Sequence, residues 1–211
     1  MVRVKICGIT NWPDAKVSVD AGADALGFNF FAASPRSISP AAAWDVIRRL
    51  PPFVAAIGVF VDWQPSVVAA LARALRLSGV QLHGDESPAA VREIVRELAA
   101  HGTVIKAVQM MRGFTPGSLK RFSAAGAILL DGSRAGLRGG TGATVDWDLA
   151  RRCGSYANIV LAGGLAPDNV AEAISVAKPY AVDVASGVEL KPGKKDPARV
   201  RAFIRAAQSA R

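Results

Sequence analysis

Three side chains able to move protons each close a short apolar run: Cys7 ends VRVKIC, His83 ends VQLH and Asp131 ends AILLD. A deprotonated thiol is a base, a protonated carboxyl an acid, and an imidazole either carries a proton or serves as a hydrogen-bonding wall. Side chains alternate along a strand, so Lys5 and Cys7 share one face while Val4 and Ile6 share the other. Lys5 is then expected one layer below Cys7, where its charge would lower the thiol pKa from the usual ~8.5. The plain alternative for Cys7 is a small core residue. For Asp131 it is a helix cap or loop anchor, but a carboxylate buried at the end of an apolar strand is costly without a partner or a task. Cys153, in the helical pattern DWDLARRC, reads as packing.

A second group of residues suits anions. Arg36 lies in SPRS, and a guanidinium fork can hold a carboxylate with two parallel hydrogen bonds, although a loop arginine can also be merely solvated. Gly163 and Gly164 follow the run NIVLA, and Ser186, Gly187, Val188 and Glu189 follow AVDVA. Glycines let backbone N–H groups approach a phosphate, and a short helix opening at Val188 and Glu189 would add its dipole. Each glycine turn alone is an ordinary turn. The segment GSRAGLRGGTGATVDW, from Gly132 to Trp147, is the longest loop and reads as a closing lid or a phosphate contact.

These residues need a scaffold, and the spacing supplies one. Strand patterns fall at 2–7, 25–30, 53–60, 79–83, 103–109, 127–131, 158–163 and 181–186. Between them run alanine-rich amphipathic segments such as SPAAAWDVIRRL and SPAAVREIVRELAA, several opening with a cap residue and proline. Eight such units in 211 residues predict an α/β fold, a (β/α)8 TIM barrel forming a single domain over 1–211. A doubly wound open sheet would carry a GxGxxG turn after the first strand, and GITNWP is not one. In a barrel the working residues belong at the C-terminal strand ends, where the polar, reactive and glycine residues collect here.

Composition narrows the function class. A 51% hydrophobic fraction with 20% charged residues excludes disorder, and two distant cysteines exclude a disulfide framework. No apolar run reaches the roughly 18 residues of a membrane span, and Arg3 and Lys5 interrupt any signal-peptide core. We expect a cytoplasmic protein with no membrane partner. The net charge of +9 is spread over many helix faces without the single stripe a duplex requires, so no nucleic acid is expected. The residues by themselves describe a metal-free, cofactor-free enzyme acting on a phosphorylated, anionic small molecule through a thiol and a carboxylate.

The ordered motifs KICGIT, GFNFFAASPR, IGVF, VQLHGDE, IKAV, LLDG, GGTG, DW, LAGGL, DVASGVE and PGKKD resemble the phosphoribosylanthranilate isomerase family of tryptophan biosynthesis, almost end to end. The resemblance implies an Amadori rearrangement of N-(5-phosphoribosyl)anthranilate to 1-(2-carboxyphenylamino)-1-deoxyribulose 5-phosphate, without cofactor. It implies Cys7 as general base, Asp131 as general acid and Arg36 on the anthranilate carboxylate, with phosphate on Gly163, Gly164, Ser186 and Gly187. His83 and Asp183, at the same rim, are expected to touch the substrate. The alternative is another phosphate-binding barrel isomerase or epimerase acting on a sugar phosphate. A monomer is expected in preference to a homodimer.

Overall fold

In a computed structural model, which describes residues 1–132 and 145–210, eight parallel strands close on themselves in sequence order. They are β1 (Arg3–Cys7), β2 (Ala25–Asn29), β3 (Ala55–Phe60), β4 (Gly79–Leu82), β5 (Thr103–Gln109), β6 (Ala127–Asp131), β7 (Ile159–Leu161) and β8 (Ala181–Val184). The sheet closes where Lys5 stands opposite Asp183 on β8 and Ala25 on β2. Among the described residues seven α-helices cover it: α1 (Trp12–Asp20), α2 (Pro40–Ile47), α3 (Pro65–Ala74), α4 (Pro88–Leu98), α5 (Trp147–Cys153), α6 (Val170–Ala177) and α7 (Pro197–Ser209).

The cap signals work as the sequence suggests. Ser39 and Ser87 accept from the backbone N–H groups of Ala42 and Ala90, each with proline in the first turn. Asp196 caps α7 in the same way through Ala198 and Arg199. One unit departs from the expected helix. After β5 the chain forms a 3-10 stretch, Pro116–Phe122, because GFTPGSLKRF is short and broken by glycine and proline. Leu119 and Phe122 still seal the sheet beneath it.

Period-two alternation splits the apolar residues into two cores. Val4, Ile6, Leu26, Phe28, Ile128 and Leu130 point outward into the layer shared with the helices. Ile57, Ile105, Ala107, Ala127, Leu129, Val160, Ala162 and Ala181 fill the barrel interior. Small interior residues leave that space incompletely closed at the C-terminal end. There a polar layer replaces them: Lys5, Gln81 and Asp183 are all buried.

Beyond β8 the chain departs from expectation again. Val188 and Glu189 open no helix: a 3-10 turn (Ser186–Val188) leads into an antiparallel hairpin of β9 (Glu189–Lys191) and β10 (Lys194–Lys195). Asp14 on α1 anchors it, accepting from the Lys194 ammonium and the Lys195 backbone N–H, both at 2.9 Å. The hairpin thus swings Glu189 and Lys195 under the mouth of the barrel.

Candidate active site

A cavity of about 560 Å³ opens at the C-terminal end of the barrel, within the size range of small-molecule sites. Cys7, Arg36, His83, Asp131, Gly163, Gly164, Asp183 and Ser186 all line it. Gly187 stands behind the rim; a Cβ there would lie 2.0 Å from the Leu165 carbonyl, so the turn after β8 packs directly on the turn after β7. Gly163 has φ of +78°, and a Cβ on it would meet the Gly132 backbone nitrogen at 2.3 Å and Asp131 Oδ1 at 2.8 Å. Only glycine lets the β7 turn lie against the β6 carboxylate. The backbone N–H groups of Gly163, Gly164, Ser186 and Gly187 take no part in the turn and loop hydrogen bonds among the described residues. Most of the loop read as a lid, residues 133–144, lies outside the described residues.

The thiol environment corrects one expectation. Lys5 does sit in the barrel beside Cys7, but its ammonium is held by Asp183 Oδ2 and Gln81 Oε1, both at 2.9 Å. Burial would lower the Lys5 pKa, yet the Asp183 carboxylate and Cys7 offset it, and the net direction is up. For Cys7, burial pushes the thiol up most strongly. Lys5 and Lys195 pull it down, Asp183 pushes it up, and the result lies above the ordinary thiol value. Lys5 thus acts on the thiol in the expected direction, but it shares its charge with Asp183 and burial outweighs it. Opposite Cys7, Gly27 makes room, since a Cβ there would fall 2.7 Å from Sγ. Cys153 is fully buried on α5 and raised to about 11, as an inert packing residue should be.

Arg36 reaches the mouth, but one edge of its guanidinium is taken. Nε and Nη2 grip Glu189 at 2.9 and 2.8 Å. Glu189 also accepts from the Lys195 ammonium at 2.9 Å, and Lys195 donates in turn to the backbone carbonyls of Cys7 and Ala185. Burial would raise the Glu189 pKa, but Arg36 and Lys195 hold it below the usual carboxylate value. For Lys195 burial dominates, and its pKa falls despite Glu189. The sequence does not single out Glu189 and Lys195 as site residues: Glu189 reads as a helix start and Lys195 falls in the PGKKD motif.

The sign of the Glu189 shift sets a pH window. A depressed carboxylate contributes stability that is fully present above its unfolded pKa and is lost as pH falls through the folded one. Glu189→Gln strands the buried Lys195 ammonium and should cost roughly 3–5 kcal/mol at pH 7. In urea unfolding of both proteins from pH 7 to pH 3, the gap should narrow once the pH drops below about 4.3. A gap that stays constant over that range contradicts the assignment.

His83 and Asp131 meet directly. Nε2 of His83 lies 3.4 Å from Asp131 Oδ2, close but without hydrogen-bond geometry, and Nδ1 contacts the Gln81 amide nitrogen at 2.8 Å. Asp131 and Asp183 are buried. His83 Nε2 and Asp183 Oδ1 are buried polar atoms with no partner among the described residues, and both residues line the cavity. Such atoms are costly unless a ligand completes them. Gln81 was also missed, although its place two residues before His83 on an inward-facing parity was a usable signal. No helix among the described residues is long and apolar enough to cross a membrane.

The N-(5'phosphoribosyl)anthranilate (PRA) isomerase family matches residues 4–206. An N-(5'-phosphoribosyl)anthranilate isomerase of Geobacter sulfurreducens is 48% identical over 208 residues, covering 99% of both chains. A crystal structure of phosphoribosyl anthranilate isomerase in complex with reduced 1-(o-carboxyphenylamino)-1-deoxyribulose 5-phosphate superposes with a TM-score of 0.83 at 42% identity, covering 99% of each chain. A structure of monomers generated from the dimeric enzyme of Thermotoga maritima gives 0.85 at 40% identity, covering 99% of this chain and 100% of that one. The chain therefore belongs to the N-(5'-phosphoribosyl)anthranilate isomerase family.

Proposed function

We propose that the protein converts N-(5-phosphoribosyl)anthranilate to 1-(2-carboxyphenylamino)-1-deoxyribulose 5-phosphate in tryptophan biosynthesis, with Asp131 as general acid and Cys7 as general base. The observation that carries the reading is one cavity lined by a buried carboxylate, a thiol, an arginine and two glycine turns, in a chain of this family. Asp131 gives a proton to the furanose ring oxygen, so that the bond from C1 to that oxygen breaks and a Schiff base forms. Cys7 then removes the C2 proton, and the resulting enolamine tautomerises to the ketone. The redox change is internal: C2 is oxidised as C1 is reduced, and no external electron carrier enters.

The raised Cys7 pKa fits a base that acts late. The resting thiol keeps its proton, and the positive iminium that ring opening creates is the cation that favours thiolate at that moment. Arg36 has its Nε edge on Glu189, which leaves the Nη1 edge to meet the anthranilate carboxylate. Asp183 Oδ1 is free to accept from a ribose hydroxyl. The N–H groups around Gly163, Gly164, Ser186 and Gly187 are free for the phosphate. All these groups come from one chain, which suits a monomer, and a working thiol suits the reducing cytoplasm.

Fluorescence-detected turnover of freshly generated phosphoribosylanthranilate tests the reading. The anthranilate-type signal should decay with enzyme concentration. Folded protein that leaves the signal unchanged while isomerising another sugar phosphate would overturn it.

A further inference from the structure

We infer that Lys5 and Gln81 are positioning residues that lock His83 in the Nε2–H tautomer and aim that proton at Asp131. The argument runs through donors and acceptors alone. An ammonium has only donors, so the Gln81 atom 2.9 Å from Lys5 Nζ must be the amide oxygen. The amide nitrogen, again only a donor, is then the atom 2.8 Å from His83 Nδ1. Nδ1 must accept, and the single proton of the neutral ring goes to Nε2. Turning the Gln81 amide over would set its NH2 group against the Lys5 ammonium. Asp183 holds that ammonium in place from the far side at 2.9 Å.

Lys5 and Gln81 stand on β1 and β4, strands that are not neighbours, so their bond crosses the barrel interior. Both are at least 96% buried, at 4% and 1% relative exposure, so water does not compete for these contacts. The groups facing His83 are Gln81 on its own strand, Asp131 on β6 and, through Gln81, the Lys5 and Asp183 pair; Cys7 lies beyond Lys5.

The consequence lies at Asp131. At 3.4 Å the Nε2–H is too loose for a full hydrogen bond to Oδ2 in the resting site. As Asp131 passes its proton to the ring oxygen it gains charge, and the waiting N–H closes on it. A donor fixed where charge develops favours the transition state over the ground state. This deepens the acid role proposed above and rests on it for its kinetic consequence alone.

Nitrogen-15 NMR of the imidazoles reads the tautomer without reference to turnover. The chain has two histidines, so a spectrum of His101→Gln assigns His83. The wild-type protein should show an unprotonated Nδ1 and a protonated Nε2 at neutral pH. A protonated Nδ1, or an average of both tautomers, overturns the inference. Gln81→Glu offers Nδ1 an acceptor in place of a donor and should move a proton onto it, with kcat lower by roughly 10- to 100-fold and KM little changed. Gln81→Met, which keeps the volume and deletes both amide groups, should give averaged tautomers and serves if the charged variant does not fold. Nδ1 unchanged in both variants, or a changed tautomer with wild-type kcat, overturns the inference. Absence of wild-type turnover on phosphoribosylanthranilate would instead overturn the proposed reaction and leave the tautomer result standing.

Discussion

Asp131→Asn is expected to lower kcat by roughly 10²–10⁴-fold, the usual contribution of a positioned proton donor, with KM changed far less. The side chain ends β6 at 3% exposure, and Asn has nearly the same shape, so the barrel should fold and melt as before. Asn cannot deliver a proton to the ring oxygen. Its amide would also present two donors or a carbonyl to His83 Nε2, replacing a contact that strengthens during the reaction with one that does not. Single-turnover kinetics separate this from weaker binding. Near-normal kcat in the variant would remove Asp131 from the acid role and return it to a structural one.

Cys7→Ser is the companion test, and a loss of similar size is expected. A hydroxyl ionises far less readily than a thiol, and burial beside Asp183 would push it further from the anion. The smaller oxygen fits the space that Gly27 leaves, so no steric effect obscures the result. The two variants should differ in what they stop. Asp131→Asn blocks ring opening, whereas Cys7→Ser should still permit it and accumulate the Schiff base. Rapid-quench trapping of an open-chain intermediate with borohydride distinguishes them. Equal trapping from both variants would contradict the order of steps, and wild-type turnover by Cys7→Ser would remove the thiol from the mechanism.

The barrel was readable because its periodicities are simple. β5 and β6 run over 103–109 and 127–131 as the β-branched runs predict, and the capped, proline-started helices fall between the strands. Cys7, His83, Asp131, Asp183 and the glycines after β7 were likewise legible, since their strand-end positions assign them to one rim, and Arg36 was legible from the loop after β2. Less legible were the groups that hold them. Glu189 bonds Arg36 across 153 positions of sequence, and Lys5 bonds Gln81 across 76, distances over which local pattern carries no pairing information. The thiol direction failed for a different reason. Alternation placed Lys5 beside Cys7, and Lys5 does pull the thiol down, but how deeply the thiol is buried is a property of the closed barrel, and burial, helped by the Asp183 carboxylate, outweighs that pull.

The C-terminal hairpin has a meaning for the order in which the protein is made. Cys7 leaves the ribosome 188 residues ahead of Lys195, whose ammonium holds its carbonyl. The strand that closes the barrel against β1 is likewise the last of the eight. Domains fold as units only once their long-range contacts exist. A nascent chain can assemble most of its strands in succession, yet the mouth around Cys7 is finished only once β8 and the hairpin that follows it have been translated. Activity thus waits for that hairpin, and a chain that has not yet made it carries Cys7 on a β1 edge without its final neighbour.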